Sequence, residues 1–285
     1  MRAWGPRVSP LLFVALTAGA SLIAGVFGAV LGLGGGILVI PFLTLVLHVD
    51  IHYAIGASIV SVIATSSGAA AAYVRDHIAS LRIGMFLEIG TTAGALTGAF
   101  LAGWLPVHWL YLVFGGAVLY SAAVMVRRPA LHHLGSRRPD PISEHLRLEG
   151  AYFDEAAGAE ITYRAERPRL ALFLMYIAGG LSGLLGIGAG AFKVPALDLA
   201  MGLPIKVSTA TSNFMIGVTA AASAGVYFAR GEIDPFVAAP VALGVVGGAL
   251  IGSRLLPKLE SGKVRIAFAV VLAVVAIQML LRSLP

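Results

Sequence analysis

The stretch "GLGGGILVIP", residues 32–41, interrupts one of the most apolar parts of the chain. Four of its first five residues are glycine, and a proline closes it. Within a bilayer, backbone that leaves the helix is tolerated only where protein or a water-filled cavity surrounds it. The stretch therefore predicts a helix break inside a membrane protein, followed by a short second helix that starts near Ile37.

The composition is that of a membrane protein with many spans. Of its 285 residues, 58% are hydrophobic and 12% are charged, whereas soluble domains have about 45–50% and about 25%. Cysteine is absent, which excludes a disulfide framework, a thiolate metal site and a cysteine nucleophile. The net charge of +6 does not indicate nucleic acid, because basic residues of membrane proteins collect in cytoplasmic loops.

The N-terminal apolar run resembles a signal peptide but is longer than the roughly 7–15 apolar residues of one, so it is predicted to be a retained first helix. Two short apolar pieces, 37–47 and 191–203, are expected to be second halves of broken helices or re-entrant segments. A spanning helix needs about 20 apolar residues. Candidate spans lie near 11–31, 53–74, 83–103, 108–126, 170–186, 207–229, 235–255 and 264–282.

The chain is predicted to be an internal duplication. A shift of 154 residues aligns the halves without gaps from Gly32 to Gly98, and spaced glycines and prolines coincide as well as apolar residues. Paired repeats with corresponding glycine-interrupted segments are typical of secondary transporters and indicate where the binding site lies. The coinciding pairs include Gly34 with Gly188, Gly36 with Gly190, Pro41 with Pro195, Ser58 with Ser212, Thr65 with Thr219 and Tyr73 with Tyr227.

Three regions are expected: a first transmembrane repeat at 1–126, an insert at 127–169 and a second transmembrane repeat at 170–285. The fold class is thus an all-α polytopic membrane protein, built from two homologous four-helix repeats with about eight transmembrane helices. Four crossings per half make the repeats parallel. If one short glycine-flanked piece also crosses the membrane, that half has an odd number of crossings and the repeats are inverted. The sequence leaves both arrangements open.

The insert carries most of the soluble charge, and its second part alternates polar and apolar residues around "DEAAGAE". That alternation favours a small β-hairpin outside the membrane, with a disordered linker as the alternative. Arginines precede the first span, occupy the 75–82 loop and fill the insert. They place the N-terminus, this loop and the insert on the cytoplasmic side of the cytoplasmic (inner) membrane. Basic residues between 254 and 265 do not fit simple alternation.

The motifs resemble those of the TauE/SafE family, the sulfite exporter-like membrane anion transporters. The closer match is "GLLGIGAGAFKVPALDLAMGLPIKVSTATSNF", residues 183–214, and the first half matches through "GLGGGILVIPFL" and "AIGASIVSV". The resemblance covers essentially the whole chain and implies export or exchange of sulfite, sulfoacetate and other small sulfur-containing anions. Ala189 departs from the family pattern, which often has a glycine there, and no loss of the backbone turn is expected.

The two glycine motifs are predicted to form an anion site. A helix N-terminus presents free N–H groups and about half a positive charge, so two such ends can hold an anion with little side-chain help. The alternative is close helix packing through small residues. The predicted substrate-binding backbone comprises Gly34, Gly35, Gly36, Gly188, Ala189 and Gly190.

Lys193 is the strongest single candidate for substrate binding. It lies in the first turn after the second glycine motif, where a cation is unfavourable both in the membrane and beside the positive end of a helix. An anionic ligand relieves both penalties. The first repeat has Val39 at this position, so the site is asymmetric. The alternatives are a lysine that reaches an interface and one that pairs with Asp198.

Hydroxyl side chains line one face of the second and sixth spans, at Ser58, Ser61 and Thr65 and at Ser208, Ser212, Thr219 and Ser223. Neutral donors suit a desolvated oxyanion, and helix–helix hydrogen bonding or bonding to backbone carbonyls is the alternative. The predicted substrate contacts among the polar side chains are Ser58, Thr211, Ser212 and Asn213. Intramembrane carboxylates often relay protons or bind coupling ions, so Glu88 and Asp198 are the coupling candidates.

These patterns predict a secondary transporter that exports small sulfur-containing anions by alternating access. No hydrolytic motif is present, so the chain is not expected to be an enzyme, and no cofactor or metal is expected. The expected partners are a small anionic substrate and the lipid bilayer, not nucleic acid, and a homodimer is left open. One rival is uptake or exchange of thiosulfate, sulfate or a small carboxylate. A rival of another class is a non-transporting membrane scaffold or receptor.

Overall fold

A computed structural model of the chain describes residues 9–31, 34–127, 140–154, 158–188, 190–255 and 261–283. Helices dominate these residues, which confirms the all-α membrane prediction. In chain order the elements are α1 (Pro10–Leu31), α2 (Gly36–Pro41), α3 (Ile51–Arg75), α4 (Leu81–Ala102), α5 (Val107–Arg127), α6 (Pro141–His145), β1 (Glu149–Asp154), β2 (Ala159–Arg164), α7 (Pro168–Leu185), α8 (Gly190–Pro195), α9 (Ile205–Ala229), α10 (Pro235–Leu255) and α11 (Ser261–Ser283).

The long helices are suited to a membrane. By length and composition, α1, α3, α4, α7 and α10 can each cross one, and α5, α9 and α11 have 21, 25 and 23 residues. Large apolar side chains face outward, with Trp104, Phe228 and Leu243 each more than 70% exposed. Such a surface is suited to lipid rather than to water.

Each glycine stretch ends a long helix and precedes a short one. α7 ends at Leu185 because Gly186 adopts the left-handed φ of 65° that is typical just after a helix C-terminus. Gly35 packs against the backbone of Ala24, and Gly28 packs against Gly35, so α2 turns back along α1 as a re-entrant helix. The π-helical segments Phe42–Val46 and Ala196–Ala200 extend α2 and α8.

The long helices pack in five main pairs: α1 on α10, α4 on α7, α5 on α11, α3 on α10 and α3 on α9. Glycine permits the closest of these contacts. A Cβ at Gly98 would overlap the carbonyl oxygen of Gly180, and one at Gly248 would overlap that of Leu22. Small residues therefore let α4 approach α7, and α10 approach α1, at backbone distance.

Helices α3 and α9 cross antiparallel. Gly56, near the start of α3, lies against the backbone of Glu232, which follows the end of α9. Further along α3, the Ser66 hydroxyl donates to the carbonyl oxygen of Asn213 in the first half of α9, at 2.5 Å. Residue numbers therefore rise along one helix as they fall along the other.

The start of α1 and the insert lie at opposite ends of the bundle, an arrangement that differs from the one expected if the N-terminus and the insert share the cytoplasmic side. Phe13 stacks on Phe236 at the start of α10, beside the loop that follows α9. The insert joins the other end, where the Glu166 amide donates to the Met201 carbonyl just before α9. The physical reason is the re-entrant α2, which adds a return pass that simple counting of long helices omits.

Within the insert, β1 pairs antiparallel with β2, and Glu149 lies opposite Arg164. The short helix α6 is capped by Asp140, whose carboxylate accepts a 2.9 Å hydrogen bond from the Ile142 amide. Tyr163 packs against a cluster of buried side chains that includes Ile83 and Leu87 of α4 and Ala171 and Met175 of α7. Burial there raises the pKa of the Tyr163 hydroxyl, and a hydrogen bond with Ser80 opposes that rise in part.

Candidate anion site at the two helix breaks

The two helix breaks meet on one apolar contact between α3 and α9. Gly34 and Gly188 both adopt left-handed conformations, with φ of 67° and 74°. Both lie against Val62 and Ile216, two fully buried side chains that occupy equivalent places in α3 and α9. A Cβ at Gly188 would lie 2.8 Å from Val62 Cγ1, so a larger residue would be both strained and overlapped.

Ser58 joins the first half of the chain to the second break. Its hydroxyl donates a 2.6 Å hydrogen bond to the carbonyl oxygen of Gly186, and the side chain is fully buried. A Cβ at Gly36 would overlap the Ser58 oxygen, so this glycine is required for the contact. The Ser58 hydroxyl thus donates its proton to the backbone of the second break.

The remaining glycines of the predicted site lie in or next to the short helices. Gly35 directly precedes α2, and its carbonyl oxygen accepts from the amides of Leu38 and Val39. Gly36 and Gly190 begin α2 and α8 and are buried. Ala189, which the sequence also placed in the site, lies outside the described residues.

Lys193 is completely buried beside the second break. It lies in α8, and its ammonium nitrogen donates a 2.5 Å hydrogen bond to the Thr219 hydroxyl of α9. The alternative prediction of a lysine that extends to a membrane interface is therefore wrong. Asp198 lies half-buried in the π-helical segment after α8 and makes contacts of its own.

Thr219 connects Lys193 to Glu88, an acid on a third helix. The Thr219 hydroxyl donates to Glu88 Oε1 at 2.6 Å, and Thr92 donates to the same oxygen at 3.1 Å. Glu88 is 8% exposed and Thr219 is fully buried. We term the set Lys193, Thr219 and Glu88 the charged triad. The sequence indicated Thr219 only as one member of a hydroxyl face, and its distance in sequence from Glu88 concealed the link.

The polar residues of early α9 are engaged with neighbouring backbone. The Thr211 hydroxyl accepts from the Ser80 amide at 2.9 Å, and Asn213 Nδ2 donates to the Ala29 carbonyl at 3.0 Å. Ser212 is fully buried. Within the described residues, Asn213 Oδ1 and Glu88 Oε2 are buried oxygens without a hydrogen-bond partner. Unpaired buried acceptors are uncommon and indicate places where a further donor can bind.

Several other hydroxyls bond to carbonyls of their own helix. Ser61 donates to the Ser58 carbonyl at 2.7 Å, Thr65 to the Ser61 carbonyl at 2.8 Å and Ser223 to the Ala220 carbonyl at 3.0 Å. These three side chains follow the alternative that the sequence left open, in which hydroxyls bond to backbone. None of the three was among the predicted substrate contacts.

The charged triad combines residues from both halves of the chain, and the positions related to them by the repeat do not form a second triad. The shift of 154 residues matches its lysine with Val39, its threonine with Thr65 and its glutamate with Ala242. The lysine and the glutamate are thus both matched by apolar residues, each in the opposite half of the chain. A lone buried charge is costly whereas a paired one is tolerated, so the joint replacement is what a charge pair requires.

A cavity of about 320 Å³ lies between α5, α7 and α8. Its walls are apolar, and two of them are Phe192 and Tyr120, whose rings stack 5.4 Å apart. Such walls do not bind a bare anion, because nothing replaces the hydration that the anion loses. Unlike this cavity, the charged triad contains a cationic hydrogen-bond donor, Lys193.

Comparison with known proteins identifies related chains over nearly the full length. The profile of the family described as Sulfite exporter TauE/SafE matches residues 17–279. Two probable membrane transporter proteins of Bacillus subtilis are each 27% identical: YunE over 91% of this chain and 94% of its own, and YdhB over 82% and 88%. A probable membrane transporter protein of Xylella fastidiosa is 25% identical over 94% of this chain and 95% of its own. No solved structure gives a significant match.

Proposed function

The chain belongs to the TauE/SafE family of sulfite exporters and is a membrane transporter rather than an enzyme, and we propose that it exports sulfite or a short organosulfonate by alternating access. The observation that supports this most is the complete burial of Lys193 beside a helix break. An ammonium group has three N–H donors, and Thr219 is its hydrogen-bond partner within the described residues. The other donors can bind a sulfonate or sulfite oxygen.

The geometry of the two halves supports a pair of inverted repeats. The equivalent helices α3 and α9 are antiparallel, as inverted repeats require. Equivalent tyrosines make equivalent bonds: Tyr73 donates to the Ala29 carbonyl at 3.2 Å, and Tyr227 donates to the Gly183 carbonyl at 2.8 Å. Inverted repeats with broken helices near the midplane are the usual basis of alternating access in secondary transporters.

The basic residues orient the bundle. Arg75, Arg82 and Arg254 lie at the end that carries the insert. Positive residues favour the cytoplasm, so we assign this end to the cytoplasm and the start of α1 to the outside. Arg254, one of the basic residues that did not fit simple alternation, then agrees with Arg75 and Arg82, whereas the arginines that precede the first span do not.

Export requires the packed contact of Val62 and Ile216 to open on one side at a time. In the present conformation both side chains are fully buried, so the two breaks are closed to water there. A packed contact of this kind is also what a non-transporting scaffold would have. Binding of a small anion therefore separates the two functions.

The experiment is a panel of anions tested by thermal unfolding of the purified protein in detergent. A ligand at 100 times its Kd stabilises the folded state by about 2.7 kcal/mol. We expect sulfite and sulfoacetate to raise the Tm and chloride to leave it unchanged. If thiosulfate, sulfate or a short carboxylate alone raises the Tm, the substrate assignment is wrong. If no anion does, the scaffold is favoured.

A further inference from the structure

We propose that Glu88 is a proton-binding site that fills when an anion occupies Lys193, so that each anion crosses the membrane together with one proton. This inference rests on the proposed function, because it assigns the coupling ion of the same site. It is carried by the contacts, burial and charges of the triad.

The three side chains of the triad form an unbroken row of hydrogen bonds through the bundle. The Lys193 ammonium donates to Thr219 Oγ1, and Thr219 Oγ1 donates to Glu88 Oε1 at 2.6 Å. Three separate elements, α8, α9 and α4, supply these groups. The Thr219 hydroxyl therefore couples the charge at Lys193 electrostatically to the charge at Glu88.

The Thr219 hydroxyl has one proton and two acceptors within reach. It can donate to Glu88 Oε1 at 2.6 Å or to the Met215 carbonyl of its own helix at 2.9 Å. An ionised Glu88 attracts that proton more strongly than a neutral carbonyl does. A protonated Glu88 loses this advantage, so the hydroxyl is free to turn to Met215. The row thus has two arrangements that differ in the charge of Glu88.

The second oxygen of Glu88 provides the place for the proton. Within the described residues, Oε2 is buried and has no hydrogen-bond partner, and the residue as a whole is 8% exposed. An ionised oxygen without a donor is poorly stabilised away from water. Protonation of Oε2 removes that charge and leaves the existing bonds of Oε1 to Thr92 and Thr219 in place.

The charge balance links this proton to the anion. In the empty site, the positive Lys193 and the negative Glu88 cancel. A monovalent anion beside Lys193 makes the buried site negative by one charge. One proton from the solution on the side from which the anion enters, bound at Glu88 Oε2, restores neutrality. When the anion leaves on the other side, the same proton leaves Glu88 for that solution.

Other charged groups around Glu88 lie at the ends of the helices that contact α4. On the described part of α9, Lys206 is in the first turn and Arg230 directly follows the helix. On α7, Arg169 is exposed in the first turn, and the Tyr176 hydroxyl contacts Thr97 instead. Arg82 of α4 itself donates to the Arg147 carbonyl of the insert. Lys193 is therefore the charge that governs Glu88.

The direct test measures proton movement in proteoliposomes that contain a pH-sensitive dye. The probes are methanesulfonate and sulfoacetate, whose charges stay constant near neutral pH. We expect an imposed gradient of either anion to move protons in the direction of the anion, with one proton for each methanesulfonate. A pH difference of one unit should support about tenfold accumulation of methanesulfonate, because a tenfold ratio corresponds to about 1.4 kcal/mol.

The variant Glu88→Gln separates the two roles of the site. Whatever its rate of exchange of labelled for unlabelled anion, the folded variant should move no protons and accumulate nothing in response to a pH difference. Thr219→Val should slow proton movement, and Thr65→Val, its equivalent in the other half, should behave as wild type. Folding of each variant is checked by gel filtration.

The outcomes distinguish this inference from the proposed function. If the wild type moves anions without protons, the proton site is wrong and anion transport stands. The same conclusion follows if Glu88→Gln retains accumulation driven by a pH difference. If the folded wild type transports none of methanesulfonate, sulfoacetate and sulfite, the proposed function and the proton site are both wrong. If Glu88→Gln does not fold, the number of protons that the wild type moves with each methanesulfonate tests the proton site by itself.

Discussion

The ammonium nitrogen of Lys193 lies 2.5 Å from the hydroxyl oxygen of Thr219, and neither side chain has exposed surface. The same hydroxyl contacts Glu88, so a buried cation and a buried anion share one neutral group. Breaking such a pair leaves an uncompensated charge, whereas replacing both charges together is often tolerated.

Removal of Lys193 alone should destabilise the protein more than removal of both charges. We expect Lys193→Met to lower the free energy of unfolding by about 3–5 kcal/mol, because Glu88 is left buried and unpaired. The double variant Lys193→Met, Glu88→Gln should recover most of that loss but should not bind anions. Thermal unfolding of the two single variants and the double variant measures the coupling. Additive effects would contradict a charge pair.

Ser58→Ala should affect stability rather than anion affinity. The Ser58 hydroxyl bonds to the Gly186 carbonyl, and its removal leaves that buried carbonyl without this donor, at a cost of about 1–3 kcal/mol. Ser61→Ala is the matched control, because its hydroxyl bonds within α3 and its loss should cost much less. A large rise in KM for Ser58→Ala with unchanged stability would instead place Ser58 in direct contact with the substrate.

The contact of Val62 and Ile216 should open to water during transport. The chain has no cysteine, so a single Val62→Cys variant can be labelled without background. We expect a membrane-impermeant thiol reagent to label it slowly, at a rate that changes when sulfite is present, because alternating access exposes the residue only part of the time. Ala249→Cys, which replaces another fully buried residue outside this contact, should stay unlabelled. Equal labelling with and without every tested anion would contradict the gate.

The two ends of the bundle should be accessible from opposite sides of the membrane. Cysteine at Ser9, just before α1, is expected to react with an impermeant reagent added to intact cells. Cysteine at Gly158 in the insert is expected to react only after the membrane is permeabilised. Reaction of both in intact cells, or of neither, would show that the start of α1 and the insert share a side.

Much of the helical framework could be predicted from the sequence, because a run of about 20 consecutive apolar residues is typical of a transmembrane helix. The predicted span 235–255 is the observed α10, and the predicted span 53–74 lies within α3. The breaks were predictable for the same reason, since glycine-rich backbone inside an apolar run has few stable alternatives. Lys193 was singled out because a lysine in such a setting needs a partner.

The placement of the start of α1 and the insert at opposite ends of the bundle could not be predicted by counting long helices. The helical run Gly36–Val46 is too short to be counted as a span, yet it returns the chain toward the end from which α1 begins. Whether such a run returns depends on its packing against α1, through Gly28 and Gly35. The spacing of residues along one helix does not predict how α2 packs against α1.

The link between Lys193 and Glu88 also depends on tertiary packing. Periodicity placed Thr219 on a polar face but could not indicate which helix that face meets. It also could not separate Ser61 and Thr65, which bond to their own helix, from Thr219, which bonds across helices as well. Both kinds of hydroxyl have the same spacing in the sequence.

Counterflow in proteoliposomes tests the central claim most directly. Vesicles are loaded with unlabelled sulfite, diluted into labelled sulfite and compared with protein-free vesicles. The account predicts transient uptake of label by the wild type and by Lys206→Met, which alters a lysine at the start of α9, and none by Lys193→Met. Uptake by Lys193→Met equal to that of the wild type, or no uptake by a folded wild type, would contradict the account.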